Sequence, residues 1–303
     1  MRRFLALLFL LPVAAAAQAR PAITGISHIA VYTSNPQATE KYYVHDIGLM
    51  KGPDAENPKG VRYYVNATQF VEVLPLPAGN SPDRLDHLAY ITKDAEVLRV
   101  YLAAHKVEVP ANVEHGSDGS LWFHVKDPEG NVVGFVQPPA NPAPITGAEP
   151  IGHHVIHVGM SVHSREAEDA FYHEILGFRP YWFGGAKPDR IDWVSQQVPD
   201  GHDWLEYMLT PLPANMTPEA AQKQLGVLNH LSIGVVNMEQ AVTTLHSEDR
   251  LDNVHTNPQI GRDGKWQFNL FDPDMTRLEL MEFAPVEKPC CSPFTAENPS
   301  PAE

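Results

Sequence analysis

Four histidines recur in one local setting: Ser27-His28-Ile29-Ala30-Val31, Asp86-His87-Leu88-Ala89-Tyr90, Ile156-His157-Val158-Gly159-Met160 and Asn229-His230-Leu231-Ser232-Ile233. Each segment reads as a short strand, whose alternate side chains face opposite ways. The neighbours of each histidine are apolar and suit a packed face, whereas the histidine shares its own face with Ala30, Ala89, Gly159 or Ser232, all small. That pattern leaves room beside the imidazole and describes a cavity wall. Three glutamates stand inside apolar runs: Glu72 between Val71 and Val73, Glu206 between Leu205 and Tyr207, and Glu279 between Leu278 and Leu280. An ionised carboxylate on an inward strand face costs several kcal/mol unless it is paired or bound to a metal. The fourth equivalent is Gly134, seven residues after Asp127 as Glu279 is seven after Asp272, so one of the four positions has lost its acid. A lone strand histidine is ordinarily a hydrogen-bonded core residue. Four at equivalent positions, three with matching glutamates, point to metal chemistry.

The elements that must position these groups follow from the same repeat. Seven residues after each histidine stands Asn35, Asp94, Ser164 or Asn237, all types that cap a helix N-terminus, and Pro36 takes the favoured first helical position. The first and third copies share Tyr42-Tyr43 to Gly48 and Phe171-Tyr172 to Gly177, with glycines placed to close the helix in the left-handed conformation. The second and fourth share Gly116-Ser117-Asp118-Gly119 and Gly261-Arg262-Asp263-Gly264, hairpin turns that precede Asp127-Pro128 and Asp272-Pro273. The unit is strand, helix and three strands, repeated four times as two pairs. The fold class is therefore α+β: four βαβββ modules in two domains, residues 23–137 and 151–284, joined by a linker at 138–150 that holds five prolines. The Pro- and acid-rich tail, 285–303, reads as disordered.

These features resemble the vicinal oxygen chelate superfamily, which includes glyoxalase I, extradiol dioxygenases and the bleomycin and fosfomycin resistance proteins. The resemblance spans residues 23–284. It rests on the fourteen-residue spacing of His28 to Tyr42 and His157 to Phe171, on the FYHEILGF segment from Phe171, and on the DPEGNVVG and DPDMTRLE segments from Asp127 and Asp272. It implies that paired modules curl into a cup where first-strand histidines and last-strand glutamates hold a divalent metal. Carried over, the ligand set is His157, Glu206, His230 and Glu279, and each histidine stands forty-nine residues before its glutamate. His28, Glu72 and His87 form a second, incomplete set opposite Gly134. The resemblance also implies bidentate chelation of a small substrate with vicinal oxygens, with Glu206 or Glu279 moving a proton. The expected activity is that of a glyoxalase I-like lyase or isomerase with one divalent metal, zinc, nickel, iron(II), cobalt or manganese, a choice the ligand types leave open. Two alternatives stand beside it. An extradiol dioxygenase would use His157, His230 and Glu279 for iron(II), although Asn269 or His124 holds the place of the family's tyrosine. A non-enzymatic protein would use the cup to sequester a ligand.

Composition narrows the partners. Arg2 and Arg3, the apolar run Phe4 to Leu11 and the small residues through Ala19 read as a cleaved signal peptide, so a periplasmic or secreted protein is expected. Cleavage takes the basic count from 22 to 20 against 37 acids, a net charge of about −17. Such a surface excludes nucleic acid and anionic membrane as partners. No membrane anchor is expected, and a homodimer is the assembly entertained. The only cysteines, Cys290 and Cys291, are adjacent, so no disulfide framework holds the fold.

Overall fold

The computed structural model describes residues 19–79, 81–146 and 148–302. The expected signal peptide lies outside them except for Ala19. The first sheet contains β1 (Ile23–Thr33), β2 (Met50–Pro53), β3 (Val61–Tyr64), β4 (Phe70–Pro75), β5 (Leu85–Thr92), β6 (Glu114–His115), β7 (Leu121–Lys126) and β8 (Val132–Gln137), in the order β2-β3-β4-β1-β5-β8-β7-β6. The second contains β9 (His154–Ser161), β10 (Arg179–Gly184), β11 (Trp193–Gln197), β12 (Trp204–Met208), β13 (His230–Val235), β14 (Val254–His255), β16 (Trp266–Phe271) and β17 (Arg277–Glu282) in the matching order β10-β11-β12-β9-β13-β17-β16-β14. The short β15 (Gln259–Ile260) pairs with β16.

Among the described residues five helices accompany the sheets: α1 (Pro36–Glu40, widening into a π turn over Lys41–Asp46), α2 (Ala95–Ala104), α3 (Arg165–Asp169, widening over Ala170–Ile175), α4 (Pro218–Leu228) and α5 (Met238–Ser247). All four expected caps form. The side chains of Asn35, Asp94, Ser164 and Asn237 accept hydrogen bonds from the N–H groups of Ala38, Val97, Ala167 and Gln240. Gly48 has φ +83° and Gly177 φ +78°, the left-handed stop that the spacing predicts. Helix α4, capped by Thr217 ahead of His230, lies outside the repeat and is an addition to the pattern.

The register of the central strands decides what faces what. Strands β1 and β5 are antiparallel with His28 opposite Ala89 and Ala30 opposite His87; β9 and β13 place His157 opposite Ser232 and Gly159 opposite His230. The small residue beside each histidine therefore makes room for the imidazole of the partner module. The space read as open cavity is filled by the second histidine. At Gly159 the fit leaves nothing to spare, because a Cβ there would stand 2.0 Å from Cε1 of His230.

On the reverse faces, Ile29, Val31, Leu88 and Tyr90 join Val158, Met160, Leu231 and Ile233 in one continuous buried cluster. The two sheets thus share a core. Burying those faces together removes apolar area from water that neither sheet could hide alone. Polar contacts at the seam keep the pseudo-twofold arrangement. Tyr43 Oη donates to Asp272 Oδ2 at 3.2 Å, joining the turn of the fourth module to the helix of the first. The turn of the second meets the helix of the third, where Glu129 accepts from the N–H of His163 at 2.8 Å and the Glu129 N–H donates to Glu168 Oε1 at 3.2 Å.

Glu168 is fully buried beside Asp127, and its Oε2 has no hydrogen-bond partner. Burial, and then the Asp127 carboxylate, push its pKa up to about 8. The folded chain therefore keeps a proton that the unfolded chain releases in the ordinary carboxylate range. The stability this contributes is complete below that range and is lost as pH rises toward about 8. Glu168→Gln is expected to raise the melting temperature at pH 8.5 by several degrees and to change it little at pH 5. Equal shifts at both pH values in thermal unfolding would discount a shared proton at this seam. Gly159→Ala should leave the far-UV spectrum unchanged but displace His230, weakening metal binding in the second cup about ten- to a hundredfold by titration. Unchanged affinity would show that His230 is no ligand.

Candidate metal centre

The non-core face of each sheet carries two rows of side chains set by strand register. In the second sheet, Glu206 of β12, Gly159 of β9, His230 of β13 and Arg277 of β17 lie side by side. The next row is Trp204, His157, Ser232, Glu279 and Asn269. Because the gap-making residues alternate with the histidines, three of the four expected ligands, His157, Glu206 and His230, come together, while Glu279 stands outside that group and meets it at His157. His157 Nε2 lies 3.1 Å from His230 Nε2 and 3.2 Å from Glu279 Oε2, and His230 Nε2 lies 3.5 Å from Glu206 Oε2. Ligand atoms of His157, Glu206 and His230 all fall within 4.8 Å of one another.

The donor set fits a divalent metal of intermediate softness. His230 donates from Nδ1 to the Leu228 carbonyl at 2.9 Å, which turns its Nε2 lone pair toward the carboxylates. His157 stacks on Trp204 with ring centroids 4.7 Å apart, fixing the ring plane. The two carboxylates differ. Burial opposes ionisation of Glu279, but Arg277 and the His157 hydrogen bond outweigh it and hold the group down to about 2. Glu206 is raised by burial, only partly offset by His157.

A cavity of about 330 Å³ opens on this centre, lined by Glu206, Glu279, Arg277 and the aromatic residues Trp182, Trp193 and Phe294. Lys265 is fully buried behind its aromatic wall, its Nζ 4.7 Å from the Trp204 ring centroid. Burial pulls this amine down to about 8, against the pull of Asp263 and Glu279.

Phe294 comes from the tail that composition reads as disordered. Instead, residues 285–302 form a strap along the second cup. Strand β10 is an edge strand with free backbone groups, and the tail supplies their partners. Thr295 N donates to Tyr181 O at 3.0 Å, Ser292 Oγ accepts from Phe183 N at 2.9 Å, and Phe294 packs on Tyr181 with centroids 4.9 Å apart. Backbone pairing and aromatic burial overcome the polar composition. Within the strap, Cys290 and Cys291 are bonded to one another.

The first sheet repeats the plan with different side chains. Arg62 of β3, Glu72 of β4, Ala30 of β1, His87 of β5 and Val132 of β8 form one row; Tyr64, Phe70, His28, Ala89, Gly134 and His124 form the other. His28 Nε2 and His87 Nε2 are 2.8 Å apart, with Glu72 Oε2 3.4 and 3.7 Å from them. The three residues of the incomplete set are thus together as well. Sequence reasoning missed the cations, Arg62, Arg277 and Lys265. Arg277 was within reach, since it stands two residues before Glu279 and must share its face.

No protein-family model matches the chain, and neither does any curated protein. Solved structures do. The chain is similar to a catechol 2,3-dioxygenase at 16% identity and TM-score 0.61, covering 88% of this chain and 92% of that one. The 2,3-dioxygenase LapB from Pseudomonas sp. KL28 matches at 16% identity and TM-score 0.65, over 91% of this chain and 97% of its own. An Mn(II)-bound glyoxalase from Novosphingobium aromaticivorans matches at 16% identity and TM-score 0.61, over 86% and 83%. The common architecture runs through both sheets of this chain, which accordingly shares the fold of these structures, as the resemblance to the vicinal oxygen chelate superfamily implies.

Proposed function

We propose that the chain is a divalent-metal-dependent lyase or isomerase of the glyoxalase I type, acting in its second cup on a small substrate with two neighbouring oxygens. The observation that carries this reading is the pair of carboxylates. A two-His, one-carboxylate centre needs one acid; here Glu206 and Glu279 both enter the cup with His157 and His230.

A cation held by His157, Glu206 and His230, with Glu279 beside His157, would supply Lewis-acid polarisation of the substrate oxygens. The protein supplies the rest. Glu279, 3.2 Å from His157 and beside Arg277, is the fixed member of the pair. Glu206 is the freer one, with 15% of its side chain exposed against 3% for Glu279. Glu206 accepts the proton from the carbon next to the substrate carbonyl and returns it to the neighbouring atom. Tyr181, Trp182, Trp193 and Trp204 cover the apolar body of the substrate, while Arg277 and Lys265 favour negative charge developing on its oxygens.

A second reading is supported by the two 2,3-dioxygenases, whose chains are matched over 92% and 97% of their length. In it, His157, His230 and Glu279 bind iron(II), and Glu206 is a bystander. The sequestering alternative uses the same aromatic cavity without a bound metal. The leader segment supports action outside the cytoplasm, and among the described residues no helix is long and apolar enough to cross a membrane.

The test is metal analysis of the purified chain followed by solvent-deuterium exchange into α-hydroxycarbonyl compounds and oxygen uptake with catechols. The expected result is bound metal, exchange without oxygen consumption, and a loss of about a hundredfold or more in Glu206→Gln with metal retained. Oxygen uptake with catechols that survives Glu206→Gln would replace this reading with the dioxygenase. Persistently substoichiometric metal would leave only the sequestering protein.

A further inference from the structure

In the first cup, His28, Glu56, Glu72 and His87 place ligand atoms within 4.8 Å of one another. Three of these occupy the strand positions used in the second cup. The fourth does not. Glu56 comes from the connection between β2 and β3, and it supplies the acid absent at Gly134. Position 134 has no room for one: a Cβ there would lie 2.9 Å from the Ala89 Cβ and 3.2 Å from the ring of His124.

The imidazoles are oriented for a ligand between them. Asp86 can only accept from His87 Nδ1, 2.7 Å away, so the His87 lone pair lies on Nε2. Ser27 Oγ sits 3.0 Å from His28 Nδ1 and can hold that ring in the same tautomer. Two buried lone pairs would then face each other across 2.8 Å, with the Glu72 carboxylate beside both. This arrangement repels itself unless a cation, or a single proton donated from His28 Nε2 to His87 Nε2, fills it.

Charge counting leads to the same place. Arg62 is the cation among these acids. Its Nε donates to Asp54 Oδ1 at 3.2 Å and its Nη2 to Glu56 Oε1 at 2.8 Å, while Nη1 reaches the half-exposed Asp118. Asp54 Oδ2, Glu56 Oε2 and Glu72 Oε2 are buried without a donor, and the Asp54 and Glu72 carboxyls lie within hydrogen-bond reach of each other. Three interior carboxylates against one guanidinium leave an excess close to that of a divalent ion. In the second cup, by contrast, Arg277 and Lys265 stand against Glu206, Glu279 and Asp263, two cations to three acids.

We propose that the first cup binds its own divalent transition metal through His28, His87, Glu72 and Glu56, so that each chain carries two metals in cups of different construction. This does not depend on the reaction assigned to the second cup. The bland alternative is a proton shared among Asp54, Glu56 and Glu72.

The full chain is stripped with chelator, loaded with Mn(II) or Co(II), desalted and analysed for metal per protein. Two equivalents are expected in the unaltered chain and one in the Glu206→Ala/Glu279→Ala double variant. In that double variant, adding Glu56→Ala should weaken the remaining site about tenfold or more, and adding His28→Gln should abolish it. Circular dichroism in chelator, where both variants should keep the spectrum of the unaltered chain, separates ligand loss from misfolding. One equivalent in the unaltered chain, lost entirely in the double variant, overturns the proposal in favour of the shared proton. Two equivalents that ignore Glu56→Ala but need His28 overturn the role of Glu56 and leave a three-ligand site.

Discussion

Each cup is closed by one antiparallel pairing, β1 with β5 or β9 with β13, in which a histidine of either strand sits opposite a small residue of the other. Everything at the centres depends on that alternation. It lets two imidazole nitrogens approach to 2.8 Å in one cup and 3.1 Å in the other. It also sets the parallel neighbours, because β4 and β12 then bring Glu72 and Glu206 beside Ala30 and Gly159. A slip of one residue would turn every ligand into the core.

The reverse of the same strands explains why the cups are rigid. Residues flanking the histidines belong to one core shared by both sheets, so the ligand-bearing strands are largely buried. A site on such strands keeps its geometry without a metal present, because its backbone is held by packing that does not involve the ligands. The seam also stores polar tension. Glu168 and Asp127 crowd together at one turn, and Asp272, pushed up to about 7 by burial, meets Tyr43 at the other.

From a common plan the two cups have diverged in charge. The first carries its arginine on β3 and gathers acids from the β2–β3 connection. The second carries Arg277 on β17 and Lys265 on the hairpin that enters β16, and is walled with aromatic residues that include Phe294 of the strap. The aromatic wall and positive groups suit binding and turning over an organic substrate. The first cup carries the larger excess of buried acid.

The sequence by itself determined the repeat, its helix caps, its left-handed glycines, the histidines with their small neighbours and the apolar face behind them. All of these are local patterns, written within a few residues of one another, and steric and capping rules read them directly. Only the tertiary structure decided which charges meet. His28 reaches His87 across 59 residues of chain and Arg84 reaches Asp274 across 190, and no spacing rule encodes such contacts. Glu56 lay in a loop with no periodicity to place it, and Arg62 and Lys265 acquire meaning only through the strands beside them. The tail was misread for the same reason: its composition is that of a free segment, but an unpaired edge at β10 and an aromatic wall gave it partners that composition does not record.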